Sequence, residues 1–229
     1  MNLTEMIAEV RNVVQDSYWT DNMITAYLNQ GLKIVATGVM INETSRLTPP
    51  LPDLYTTVTL AATAIGAGMV DMPTNFDRRL EMVVNADGDA ISLDPSFKRF
   101  LIKNPKKATG AVSSCCQHGG NFLYRDIPSV SEELILHYYS VPPTLTTGTD
   151  EPTCLPEILH KPVIVGYACV QIFNQIEDGI EGKKVNAEFW LNEFRQGLFN
   201  NLSLISSDES LPDFYIDSVE TRRGRKVDG

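Results

Sequence analysis

Residues 186–205 read NAEFWLNEFRQGLFNNLSLI, and their apolar side chains recur at helical spacing: Trp190, Phe194, Leu198, Leu202 and Ile205. Asn186 is a suitable N-cap, Glu188 adds negative charge to the first turn, and Val185 is placed to staple onto Trp190. The stretch predicts a one-faced amphipathic helix, which needs partner helices to bury its stripe.

The N-terminus predicts two more helices. Asn2 and Glu5 have the spacing of a capping box, and the helix that they start runs to about Ser17 with the stripe Leu3, Ile7, Val10 and Val14. Thr20 caps the second helix, with Trp19 stapled onto Ile24 and the stripe Ile24, Leu28, Leu32 and Val35. The short connection predicts an antiparallel hairpin.

A further helix precedes residue 186. It starts either at Pro156 or at Pro162, because a proline inside a helix removes a backbone hydrogen bond. Its predicted stripe is Val163, Tyr167, Val170 and Ile176. Together the four helices predict a bundle of two helical hairpins.

The middle of the chain is predicted to be mainly β-structure. Thr57–Leu60 alternates in the manner of a strand, and Glu132–Val141 reads as a long strand. Asp87-Gly88 predicts a two-residue hairpin turn between Arg79–Asn85 and Asp89–Leu93, and Gly119-Gly120 predicts another between Ala111–Cys116 and Asn121–Arg125. Pro95–Lys103 reads as a short helix.

These elements predict an α+β protein in four parts: an N-terminal helical hairpin over residues 1–46, a β-rich insertion over 47–152, a helical pair over 153–206, and an extended arm over 207–229. The net charge of −10 opposes nonspecific binding to nucleic acid or to anionic membranes. The longest apolar stretch, Val163–Phe173, is too short to span a bilayer, so no membrane association is expected.

Cys115, Cys116 and His118 form the densest group of candidate ligands, with Cys154 and His160 further on. Their spacing favours buried structural thiols over a zinc site, or over a thiol nucleophile served by His118, His137 or His160. Carboxylates cluster as well, but near helix ends and loops where charge is usually solvated: Glu177, Asp178, Glu181, Asp208 and Glu209. No catalytic residue, metal ligand or cofactor is therefore predicted.

The C-terminal arm carries basic residues that contrast with the acidic chain: Arg222, Arg223, Arg225 and Lys226. Phe214, Tyr215 and Ile216 lie just before them. Solvated disorder, docking on a protein and contact with nucleic acid are the alternatives for such a tail. Apolar anchors beside charge favour an arm that orders when it binds a partner.

Several stretches together resemble the head-to-tail adaptor (connector) proteins of tailed bacteriophages, of the tail tubular A and portal-adaptor types. The resemblance covers most of residues 20–205 and lies in these segments: Met23–Leu32, Met72–Arg78, Leu134–Leu145, Leu155–Phe173 and the helix at Phe189-Trp190. It implies a noncatalytic virion protein at the neck between head and tail, which passes through the host cytoplasm during assembly.

The resemblance also implies a homo-oligomeric ring, commonly twelvefold, that binds the portal protein above and a tail or nozzle protein below while DNA passes through without specific binding. Carried onto this chain, it assigns ring packing to Trp190, Phe194, Leu198 and Leu202, and portal docking to the arm. Two other hypotheses stay open: a hydrolase that depends on metal or on Cys115 or Cys116, and another neck component such as a head stopper or tail-completion protein.

Overall fold

The computed structural model describes residues 1–37, 51–63, 68–103, 108–178 and 184–205. They form two compact units, a helical unit within Met1–Asp53 and Pro142–Gly229 and a β-rich unit over Leu54–Val141. The predicted α+β class is confirmed. The arm predicted for residues 207–229 lies outside the described residues.

The helical unit begins with α1 (Leu3–Val14), which has the predicted capping box. Asn2 Oδ1 accepts a hydrogen bond from the Glu5 backbone N–H at 2.9 Å, and Glu5 Oε2 accepts one from the Asn2 N–H at 2.9 Å. The helix ends before the predicted Ser17, because Gln15 adopts a left-handed φ of 53°. Met6 is buried instead of Ile7, so the predicted stripe was partly wrong.

The second helix, α2 (Asp21–Thr37), follows the prediction closely. All four residues of its predicted stripe are buried: Ile24, Leu28, Leu32 and Val35. Thr20 Oγ1 accepts a hydrogen bond from the Met23 N–H, as expected of an N-cap. Arg11 Nη2 lies 2.6 Å from the Asp21 carboxylate and so connects the last turn of α1 with the first turn of α2.

The next helical segment passes through Pro162 without stopping. It consists of α4 (Glu157–Leu159), a π-helical turn (His160–Val165) and α5 (Gly166–Glu177). Both proline alternatives hold in part: Pro156 lies at the N-cap of α4, and regular α-helix resumes only after the proline-containing π turn. Ile176 was predicted in the buried stripe but is 37% exposed. The last helix is α6 (Val185–Ile205).

The β-rich unit contains seven strands and one helix among its described residues, in the order β1 (Tyr55–Ala62), β2 (Met69–Asp71), β3 (Phe76–Asn85), β4 (Ser92–Leu93), α3 (Phe97–Lys103), β5 (Ser114–His118), β6 (Asn121–Arg125) and β7 (Glu132–Ser140). One sheet has the order β1-β7-β3 and the other the order β2-β6-β5-β4. Their apolar faces share a core that includes Phe122, Tyr124, Leu134, Leu136 and Tyr138.

The two predicted hairpins differ in outcome. The turn at Gly119-Gly120 is confirmed, since His118 pairs with Asn121 across it. The two-residue turn at Asp87-Gly88 was wrong, because the Asn85 N–H donates to the Asp89 carbonyl and leaves a three-residue loop. The returning chain then joins the other sheet, where β4 pairs in parallel with β5.

Candidate assembly interface

A carboxylate from the end of α5 caps the beginning of α6. Glu177 Oε1 accepts hydrogen bonds from the Asn186 N–H at 3.1 Å and from Asn186 Nδ2 at 2.9 Å. Glu177 Oε2 accepts one from the Ala187 N–H at 3.2 Å. The helix starts at Val185, so Asn186 is not its N-cap. That prediction was wrong because the cap comes from a residue nine positions earlier in the chain.

The electrostatics of this cap favour an ionised carboxylate. Burial of Glu177 opposes ionisation, but hydrogen bonds from Ala187 and Asn186 outweigh burial, and with Lys184 nearby they lower the pKa of the carboxyl. A negative charge at this position also complements the positive end of the α6 dipole. Glu177 thus caps the first turn of α6 with a charged group.

The inner face of α6 packs within its own unit. Ala187, Phe194 and Leu198 are buried, and the rings of Phe194 and Tyr167 lie 5.6 Å apart between centroids. The contact is close at Gly197, where an added Cβ would lie 2.9 Å from the Cβ of Pro162. The helical unit therefore covers this face itself.

The outer face of α6 exposes two apolar side chains near the start of the helix, Val185 and Phe189. Val185 is 60% exposed and Phe189 is 55% exposed. At about 100° per residue, these two positions lie on the opposite side of the helix from Ala187, Phe194 and Leu198. Trp190 is half-buried beside them, with its ring centroid 5.5 Å from that of Phe189. The exposure of Val185 contradicts its predicted role as a staple onto Trp190.

The four residues assigned to ring packing therefore lie in different environments. Trp190 lies between the two faces with its ring against Phe189, whereas Phe194 and Leu198 belong to the inner face. The side chain of Leu202 lies outside the described residues. Phe189 was named from the sequence only as part of this helix, and its exposed apolar side chain was not predicted. Its i, i+4 spacing from Val185, away from the main stripe, is the signal that could have found it.

The thiols lie in apolar surroundings. All four cysteines are buried and unpaired. Burial raises the pKa of Cys115 to about 12, that of Cys169 to about 12 and that of Cys154 to about 11. Burial and then the charge of Asp94 also raise the pKa of Cys116. Thiols of this kind are poor nucleophiles at neutral pH, because the thiolate is the reactive form.

The three histidines have separate structural neighbours. The ring of His118 stacks on Phe97 at 4.0 Å, His137 Nδ1 lies 2.9 Å from the Tyr55 hydroxyl, and His160 Nε2 lies 2.9 Å from the Leu155 carbonyl oxygen. These contacts give each imidazole a stacking or hydrogen-bonding partner other than a thiol, which does not favour a cysteine–histidine pair.

Two of the carboxylates named from the sequence also have structural partners. Glu177 is the helix cap, and Asp178 Oδ1 lies 2.9 Å from Lys184 Nζ. Within the described ranges, no group of three or more potential ligands is placed to hold a metal ion. Glu181, Asp208 and Glu209 lie outside those ranges, as do the arm residues Phe214, Tyr215, Ile216, Arg222, Arg223, Arg225 and Lys226.

The sequence of this chain, whose described residues form a helical unit and a β-rich unit, matches a known protein family. The model of the SU10 adaptor protein family matches residues 1–213. The chain belongs to this family. The resemblance to bacteriophage head-to-tail adaptors is thereby confirmed, and the adaptor is a structural phage protein that works with other virion components at the neck.

Curated proteins gave no match to the chain. Across the described part of the adaptor, we find no helix that is both long and apolar enough to cross a membrane.

Proposed function

We propose that the adaptor forms a ring beneath the phage portal, with about twelve copies by resemblance to other adaptors, and links the capsid to the tail around the DNA channel. The observation that supports it most is the outer face of α6. Val185 and Phe189 form an apolar surface opposite the face that the unit already covers. A neighbouring copy can bury this surface, and apolar burial is the main favourable term in subunit association.

In this arrangement the outer face of α6 packs on the helical unit of the next copy. Trp190 keeps its assigned role in ring packing, because it borders Phe189. Phe194 and Leu198 contribute indirectly, by holding α6 against its own unit. Leu202 stays in the proposal as the resemblance gave it.

The lateral contact is tested with a Val185→Ser, Phe189→Ser double variant. Burying a Phe side chain contributes about 1.5–3 kcal/mol, so we expect each subunit contact to weaken by roughly 10- to 100-fold or more. The measurements are the yield of rings by electron microscopy and the amount of adaptor in purified virions. Circular dichroism checks that the fold is retained.

Ile158→Ser is the matched control, since Ile158 is 76% exposed in the same unit but lies on α4. The control should assemble normally. Rings and virions that form equally well with the double variant would refute the role given to this face.

The arm is proposed to dock on the portal. Its apolar anchors are Phe214, Tyr215 and Ile216, and its basic residues are Arg222, Arg223, Arg225 and Lys226. Deleting residues 207–229 should abolish attachment to the portal and leave the fold intact. Attachment at the level of the full-length chain would overturn this assignment.

The channel and the tail contact complete the proposal. The β-rich unit is proposed to face a tail or nozzle protein. The net charge of −10 favours an acidic lumen, which would repel the DNA backbone and let the genome slide during ejection. An electron-microscopy map of the ring tests this directly, since a markedly basic lumen would contradict it.

A further inference from the structure

The helical unit exposes a second apolar site in the connection between α1 and α2, residues 15–20, which we call the α1–α2 turn. Tyr18 is 69% exposed, and its ring lies 5.3 Å from that of the buried Trp19 in a T-shaped contact. The Tyr18 N–H donates a hydrogen bond to Asp16 Oδ1 at 2.9 Å. These contacts hold an aromatic side chain at the surface of the unit.

The α1–α2 turn lies at the same end of the helical unit as the outer face of α6. The ring of Trp19 lies 6.1 Å from that of Tyr27 in α2, and the Tyr27 hydroxyl accepts a hydrogen bond from Gln175 Nε2 at 2.6 Å. Gln175 belongs to the last turn of α5, as does Glu177, which caps α6. Both apolar sites are thus connected to the last turn of α5.

The two sites lie on different sides of α5. Gln175 contacts α2, whereas Glu177 contacts the first turn of α6. At about 100° per residue, two positions that are two residues apart in a helix point about 160° away from each other. The last turn of α5 therefore separates the α1–α2 turn from the start of α6.

One other apolar side chain in the described part of the helical unit is more than half exposed, and it lies at the opposite end. Ile158 is 76% exposed and belongs to α4. Since α4, the π turn and α5 follow one another directly, a rise of about 1.5 Å per residue places Ile158 roughly 25 Å from Gln175. Tyr18, in contrast, lies at the end that carries Phe189.

A closed ring sets two conditions for the surfaces that its copies share. Each copy contacts the next through two different surfaces, because the same head-to-tail contact is repeated around one axis. Rotation about that axis leaves the height of a residue unchanged, so the two surfaces lie at the same height and on opposite sides of the subunit. The outer face of α6 and the α1–α2 turn meet both conditions when the axis runs roughly along α5.

We propose that Val185 and Phe189 of one copy pack on Tyr18 of the next copy in the ring. This contact rests on the proposed function and supplies the surface that receives the outer face of α6. The partner is a second copy of this chain, because each copy carries both halves of the contact and head-to-tail association covers both at once. Two aromatic rings then meet, and buried aromatic residues contribute strongly to association.

The test places a photo-crosslinker at position 18 of the full-length adaptor in purified virions. Tyr18 is replaced by p-benzoylphenylalanine, which keeps an aromatic ring, and crosslinked peptides are identified by mass spectrometry after irradiation. A crosslink between copies also gives a band of twice the mass of one chain on a denaturing gel. We expect this band, with crosslinks to residues 184–192.

Position 158 is the matched control for the crosslinker, since Ile158 is strongly exposed in the same unit but lies at its other end. The yield of crosslinks to residues 184–192 should be severalfold lower from position 158 than from position 18.

Substitutions then test whether Tyr18 and Phe189 act together. Tyr18→Ser should raise the adaptor concentration needed for half-maximal ring formation by roughly tenfold or more, because it removes most of the apolar area at the turn. Tyr18→Phe keeps the ring and should assemble as the wild type does. In a chain that already carries Phe189→Ser, Tyr18→Ser should have a much smaller effect, since substitutions of residues in contact are not additive. Circular dichroism checks that each variant is folded.

Rings that form without crosslinks from position 18 to residues 184–192 of another copy would overturn this contact and leave the ring proposal standing. Crosslinks from position 18 only to the same copy, to the portal or to a tail protein would overturn it as well. Normal assembly of Tyr18→Ser, or fully additive effects of Tyr18→Ser and Phe189→Ser, would have the same consequence. The absence of any ring would overturn both this contact and the proposed function.

Discussion

At the residue scale, the side chain of Glu177 connects α5 with α6. Its carboxylate joins the end of α5 to the first turn of α6 through hydrogen bonds with Asn186 and Ala187. The turn of α6 that carries Val185 and Phe189 follows directly from this cap. The turn that carries Val185 is therefore capped by a residue outside the outer face.

The cap predicts a pH-dependent contribution to stability. The pKa of Glu177 is lower in the folded protein than in the unfolded chain, where it is about 4.5. Its ionised form therefore stabilises the fold at pH values above the unfolded pKa, and this contribution is lost as the pH falls through the folded pKa. Glu177→Gln should lower the melting temperature at pH 7, with the difference from wild type shrinking below about pH 4.

Thermal unfolding followed by circular dichroism between pH 3 and pH 8 measures this effect. Asp178→Asn is the control, because Asp178 is a neighbouring carboxylate whose side chain is 77% exposed. It should change the melting temperature little. A decrease for Glu177→Gln that is the same at every pH would show that the charge of the cap is unimportant.

The buried thiols give a second prediction at this scale. With pKa values of about 12 for Cys115 and Cys169 and about 11 for Cys154, hardly any thiolate exists at pH 8. Labelling of the native adaptor with Ellman's reagent should be slower than labelling of the denatured protein by on the order of 100-fold or more. A native cysteine that reacts as fast as in the denatured protein would revive the hypothesis of a thiol nucleophile.

At the level of elements, the crossing of α6 over the π turn depends on Gly197. An Ala at this position would gain about 1 kcal/mol in helix propensity but would place its Cβ 2.9 Å from the Cβ of Pro162. Overpacking costs about 1–3 kcal/mol, and the proline ring has little freedom to move away. Gly197→Ala should therefore destabilise the protein by up to about 2 kcal/mol net.

Urea unfolding of Gly197→Ala measures the cost, and Asn192→Ala on the exposed side of the same helix is the matched control. The control removes no packing and should be neutral or slightly stabilising. A Gly197→Ala variant as stable as the control would mean that α6 does not approach Pro162 so closely.

Elements set by local signals were predicted well from the sequence. The capping box at Asn2 and Glu5 and the stripe from Ile24 to Val35 depend on residues within a few turns of each other. The turn at Gly119-Gly120 was predicted for the same reason.

What the sequence missed depends on tertiary packing. The cap of α6 comes from the preceding helix, and the π turn at Pro162 forms where the chain continues as a helix through a proline. The change of sheet after Ala90 depends on the pairing of β4 with β5, which no local pattern encodes. The outer face of α6 was missed because the longer stripe on the other side dominated the pattern.

At the scale of the whole molecule, the described fold is consistent with membership of the phage adaptor family. The match over residues 1–213 shows a phage adaptor, and the described fold combines a helical unit with a β-rich unit. A structural protein that works by contact needs surfaces more than reactive groups. The outer face of α6 is one such surface among the described residues.

The most direct test of the account is an electron-microscopy map of the neck in purified virions. We predict a ring of adaptor copies beneath the portal, with Phe189 of each copy buried against its neighbour. A map that places the adaptor elsewhere in the particle, or that shows a ring in which Phe189 remains exposed to solvent, would contradict the account.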